Sequence, residues 1–207
     1  MSRVHSTLVI AAAILGLAAA GQDLRTGAAV TKLTSEIDAA GGYISAPDLA
    51  DRIVRGDSGL RVLDLRSRAE YDQLHIAGAS HIVFEDLAHA VPGDATVVLY
   101  ADGGSTAARA WMLLHTRGHQ SVLVLREGLY EWIGRVLEPR LASDATAAER
   151  AAFARAAETS RFFGGIPLTG VPRADVATGY WTGIDRSGHQ PAGMSKRAIA
   201  SIRRRGC

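Results

Sequence analysis

Residues 97–114 read VVLYADGGSTAARAWMLL. With Thr96 in front, the first five residues form an unbroken β-type run, TVVLY, the pattern of a strand covered on both faces. Ser105 or Thr106 offers an N-cap for a helix through AARAWMLLHTR, and Gly118 stops it. A buried strand, a Gly-Gly turn and a helix start place Ala101 to Thr106 at the carboxyl end of a strand. That is where parallel α/β sheets hold their functional crevice. The loop contains no activated nucleophile, and the rest of the chain has to explain what it is for.

Outward from this stretch, strand and helix patterns alternate. Downstream, SVLVL (121–125) is a second fully apolar strand and GLYEWIGRVL closes the unit as a helix. Upstream, ISAPDLADRIVRG reads as a helix with Pro47 at its start and Leu49, Ile53 and Val54 on one face. RVLDL (61–65) is a short strand, Ser67 caps a helix over RAEYDQL, and GASHIVF is extended. EDLAHAV gives one or two helical turns, ended by Pro92-Gly93. The expected fold is α/β, a central parallel sheet with helices on both faces.

Five segments between Ile44 and Leu137 together resemble a rhodanese domain, the single-domain sulfurtransferase fold. ISAPDLADRI is similar to the family's opening helix. VLDLRSRAEYDQLHIAGA carries its Asp-x-Arg, Glu-Tyr and His-Ile-x-Gly-Ala pattern at Asp64, Arg66, Glu70, Tyr71, His75 and Gly78. VVLYADGGSTAARA stands at the active-site loop, LHTRGHQSVLVL at the next helix end and strand, and LREGLYEWIGRV at the closing Gly-x-x-x-Trp, here Gly128 and Trp132. The resemblance implies a cysteine after the loop strand that carries sulfur as a persulfide. The matching residue is Ala101. The basic residue expected five positions later falls on Thr106, and Asp102 adds a negative charge where thiosulfate-like anions would arrive.

In active relatives such a loop works because free N–H groups and the helix dipole stabilise a thiolate. Gly103-Gly104 lets several N–H groups turn inward. That cradle persists without the thiol and suits a small anion, a carbonyl or a partner protein; the plainer alternative is a solvated turn capped by Asp102, Ser105 or Thr106. Asp64, Arg66 and Glu70 read as an ion-pair and capping network rather than a crevice lining, and His75 as a structural histidine. Asp102 with Ser105 is a weak pointer to hydrolysis.

The 207 residues carry a formal net charge of +2, which favours no class of partner for the whole chain. The one cysteine, Cys207, excludes an internal disulfide and a four-cysteine zinc site, and no His pair has metal-ligand spacing. No cofactor and no metal are expected. Arg3 and His5 precede the uncharged run Leu8 to Ala20, with Ala18-x-Ala20 as a cleavage site. Residues 1–21 are therefore expected to be an export signal or an uncleaved membrane anchor, with membrane association through residues 4–20 and a periplasmic or membrane-anchored location in a bacterium.

The expected organisation continues with a connector over 22–42, the rhodanese-like domain over 43–138, a helix over 139–163 that packs back on it, and an extended or disordered basic tail over 164–207. Thr146-x-x-Glu149 is a capping box for the helix. From 171 onward, seven Lys or Arg stand against two Asp. Nucleic acid is not expected as a partner. The function expected is a binding or regulatory module whose loop is catalytically inactive. One alternative is a sulfur- or thiol-transfer protein using Cys207, whose neighbours Arg203 to Arg205 favour thiolate. The other is an adaptor that binds anionic surfaces through the tail.

Overall fold

The computed structural model describes residues 31–91 and 95–178. The expected signal or anchor at 1–21, the expected turn at Pro92-Gly93 and the expected tail from 179 to Cys207 lie outside the described residues. Two units are distinguished, residues 1–41 and residues 42–207.

In the first unit, residues 31–39 form a helix, α1. It lies within the segment 22–42 expected to be a connector. Lys32 and Glu36, one turn apart, pair at 3.9 Å, and the Thr34 and Ser35 hydroxyls donate to the carbonyls three residues back. These local bonds support a helix that the polar composition conceals.

The second unit is built on a five-stranded parallel sheet. Its strands are β1 (Tyr43–Ile44), β2 (Leu60–Asp64), β3 (Ser80–His81), β4 (Thr96–Tyr100) and β5 (Val122–Leu125), in the order β1-β5-β4-β2-β3. β2 pairs with β4 from Leu60↔Thr96 to Asp64↔Tyr100, and β4 with β5 from Val97↔Val122. Side chains alternate across each strand. Val62, Val98, Tyr100 and Leu125 join one cluster with Leu49 and Ala50 of α2 (Ala46–Val54) and with Trp132, Ile133 and Val136. Val97, Leu99 and Val124 are buried on the opposite side. There α5 (Gly104–Thr116) buries Ala107, Ala110, Trp111 and Leu114 and lies against β4 and β5. The Trp111 indole N–H donates to Val122 O at 3.0 Å. The sheet thus has helices on both faces, as expected.

Local signals set the shorter elements. Ser45 Oγ accepts from the Asp48 N–H at the start of α2, and Pro47 sits in the first turn. In α3 (Arg68–Gln73), Ser67 and Glu70 form a capping box. α4 (Leu87–Ala90) is a single turn. The expected closing helix differs: α6 (Leu129–Glu131) is three residues long and continues as a π-helical turn, Trp132–Leu137. That turn places Trp132, Ile133, Val136 and Leu137 in the core.

A small layer follows. β6 (Arg140–Ala142), α7 (Ala147–Phe162) and β7 (Leu168–Val171) make a β-α-β unit with β6 and β7 parallel, and α8 (Arg173–Thr178) comes last. The Thr146–Glu149 capping box is formed. α7 packs back on the π-helical turn and α2, with Phe163 edge-on to Trp132 at 4.9 Å between centroids. The expected extended or disordered segment from Gly164 is corrected over its first part. Leu168 to Val171 is a paired strand, and Arg173 locks α8 to Asp144 at 3.0 Å and Glu149 at 2.9 Å. The partners lie more than twenty residues upstream, so no local pattern reveals them.

Candidate functional site

The chain runs one way from β2 to β3 and the opposite way from β4 to β5. The crevice at the carboxyl ends of β2 and β4 is therefore the topological switch point of the sheet. Two loops meet there: Leu65–Ser67 after β2, and Ala101–Gly103 after β4.

The β4 loop is fixed by its backbone. Leu65 N–H donates to Tyr100 O at 3.0 Å, and Leu129 N–H donates to Ala101 O at 2.9 Å. Ala101 is buried. Gly128, at φ 62°, lies directly against this loop: a Cβ there would overlap Ala101 O and stand 2.9 Å from Asp102 O. A glycine at 128 is thus a requirement of the close approach as well as of the left-handed backbone.

The helix that follows begins differently from expectation. Its N-cap is Gly103, extended at φ −131° and ψ 178°, and no side chain caps it. Ser105 and Thr106 fall inside the first turn of α5, two and three residues past the cap position. The start of α5 therefore keeps its backbone N–H groups free of side-chain caps, at the positive end of the helix dipole.

Charge around the loop is organised by Arg66. Its Nε donates to Asp64 Oδ1 at 3.0 Å and its terminal nitrogen to Asp64 Oδ2 at 2.6 Å, a bidentate pair. The same nitrogen reaches Leu74 O at 2.6 Å. The remaining one meets Asp102 Oδ1 at a loose 3.4 Å. The Asp64 side chain is fully buried and that of Arg66 is 6% exposed, whereas that of Asp102 is 41% exposed. The cation of this crevice is thus committed to Asp64.

The mouth is acidic. Burial raises the Asp102 carboxyl above its ordinary value; Arg66 opposes this and the neighbouring Glu70 adds to it. The Ser67 hydroxyl holds Glu70 below its ordinary value, against some desolvation. Tyr130 stands in the field of Asp102, Arg66 and Glu70, and partial burial moves its phenol up. Burial beside Asp64 pushes the Tyr100 phenol far up, so it stays protonated, and its oxygen accepts the Ile76 N–H at 3.1 Å.

His75 Nδ1 lies 2.9 Å from Tyr71 O, and its ring stacks on Tyr71 at 4.0 Å. Tyr71 in turn donates to Ala79 O at 2.7 Å. This holds the turn after α3 and leaves His75 without a nucleophile to serve. Sequence reasoning missed Gly128 and Tyr130 as parts of the site. The Gly-x-x-x-Trp pattern marked Gly128 but gave no sign that it abuts Ala101. Two cavities of about 400 and 460 Å³ lie elsewhere in the unit, and no residue from Ala101 to Thr106 lines either. Among the described residues no cluster of three or more His, Cys, Asp or Glu could hold a metal ion. No described helix is long and apolar enough to cross a membrane.

Residues 45–135 match the family model of the rhodanese-like domain. No curated protein matches the sequence. Among solved structures, the chain is similar to the rhodanese-like domain of an Anabaena protein at 28% identity, covering 44% of this chain and 72% of that one with a TM-score of 0.41. It is similar to a human single-domain sulfurtransferase at 22% identity, covering 44% and 95%, with a TM-score of 0.40. A third is a Rhodopseudomonas palustris protein described as a possible tyrosine phosphatase, at 20% identity, covering 48% of this chain and 87% of that one, with a TM-score of 0.42. The family match thus covers residues 45–135, less than half of the chain.

Proposed function

We propose that this rhodanese-like domain is a binding or regulatory module whose loop performs no sulfur transfer. The observation that carries the reading is the chemistry at the end of β4. Ala101 stands where the family resemblance puts the sulfur-carrying cysteine, and a methyl group cannot hold a sulfane sulfur. The surroundings support it: Arg66 is engaged by Asp64, and Asp102 and Glu70 repel an incoming anion such as thiosulfate. What remains is the uncapped start of α5 behind Gly103, which suits a carbonyl or a partner's backbone better than a free anion. We place the protein outside the cytoplasm, in the periplasm or on a membrane, on the strength of the basic flank and apolar run of residues 3–20.

The test of the cradle is a thiol put back into it. In a Cys207→Ser background, Ala101→Cys gives a protein with one thiol, whose alkylation rate is followed against pH. The midpoint is expected below the ordinary thiol value of about 8.5, because N–H groups and the helix dipole favour thiolate. Adding Asp102→Asn should lower it further by removing a like charge. A midpoint at or above about 8.5 in both proteins would leave the loop as a turn and the binding reading without its site.

A further inference from the structure

Glu131 is buried, at 4% exposure, and its Oε2 has no hydrogen-bond partner. The carboxylate accepts the Ala46 backbone N–H at the first residue of α2. Arg135, one turn further on and mostly in solvent, brings its Nε to 3.7 Å from Oε1. Arg126 and Glu127, between β5 and α6, are the other charges acting on it. On α2, the first-turn Asp48 is turned onto Ser45 Oγ at 2.5 Å. A buried carboxylate with one oxygen unsatisfied is costly, and such groups in native proteins call for an explanation.

The explanation lies in the three residues of α6. Leu129 donates its N–H to Ala101 O, inside the loop. Tyr130 stands in the field of the Asp102, Arg66 and Glu70 mouth. Glu131 holds the start of α2. One turn of chain therefore touches the loop at one end and α2 at the other, with Gly128 wedged against Ala101 and Asp102 just before it. We propose that Glu131 is a proton-sensitive clasp, whose charge sets how α6 is held to α2 and, through Leu129, how the β4 loop is held. Ionised, it makes a charge-assisted bond to the Ala46 N–H and draws on Arg135. Neutral, it sheds the charge from its unsatisfied oxygen and holds the N–H more weakly. Burial pushes this carboxyl above the ordinary glutamate value; the Ala46 N–H, Arg135 and Arg126 oppose the shift and Glu127 adds to it. The device is independent of whether the loop binds or catalyses.

The test follows the backbone amide signals of Gly103 and Gly104 by NMR in the full-length protein, from about pH 8 to about pH 4. It is run in an Asp102→Asn background so that the loop's own carboxyl does not report. Glu70, held low by Ser67, titrates on the acid side of the ordinary value. The expected result is an inflection above about 4.3 that is lost in Glu131→Gln and moves to higher pH in Arg135→Gln. An inflection unchanged by Glu131→Gln, or no inflection at all, overturns the proposal. Should Glu131→Gln fail to fold, an inflection that stays in place in Arg135→Gln overturns it equally.

Discussion

Arg66 and Asp64 are two residues apart in the chain, and together they decide the electrostatics of the crevice. Asp64 ends a buried strand, where an unpaired charged group is costly. Arg66 answers it with two parallel hydrogen bonds and is itself nearly buried. Removing one partner of such a pair leaves the other buried and uncompensated. Arg66→Ala is therefore expected to cost about 3–5 kcal/mol, read as a fall in the denaturant midpoint at unchanged slope. Arg66→Lys should recover only part of this, since an ammonium cannot make the bidentate contact. A loss of less than about 1 kcal/mol for Arg66→Ala would mean that the pair has no structural role. The Asp102 carboxyl has the opposite linkage to an ordinary salt-bridged aspartate. Its folded value is raised, so its contribution to stability is present at acid pH and is lost as pH rises through the folded value.

At the scale of elements, the loop after β4 is shaped from outside as much as by its own residues. Leu129 ties Ala101 from one side and Gly128 fits under it. Gly128→Ala adds a Cβ at a left-handed backbone position and drives it into Ala101 O. The expected loss is about 3 kcal/mol or more in unfolding free energy, since strain and overlap act together. An alanine tolerated within about 1 kcal/mol would contradict the close approach.

What was legible here was local. The Ser67 cap, the Thr146–Glu149 box and Pro47 mark three helix starts, and TVVLY and SVLVL mark the two central strands. Their partners lie within three or four residues or in an apolar run. Elements held by distant partners were not legible: β7 needs β6, and α8 needs Asp144 and Glu149. The cap of α5 was placed late because hydroxyls outrank glycine as caps in general, whereas here the extended Gly103 takes the position. Nothing in WIGRVL distinguishes a π-helical turn from an α-helical one, since either buries Trp132, Ile133, Val136 and Leu137 on one side.

Across the whole molecule, the five-stranded sheet is followed by the β6-α7-β7 layer and α8, and no cysteine stands among the described residues at the ends of β2 and β4. The only cysteine is Cys207, the last residue of the chain. This makes the central claim open to a direct measurement, because a Cys207→Ser protein has no sulfur nucleophile of the kind the family resemblance implies. The measurement is thiosulfate-to-cyanide sulfur transfer, read as thiocyanate formed, by the full-length protein and by Cys207→Ser. The account predicts the uncatalysed background for both. Thiocyanate formation well above background that persists in Cys207→Ser would contradict it.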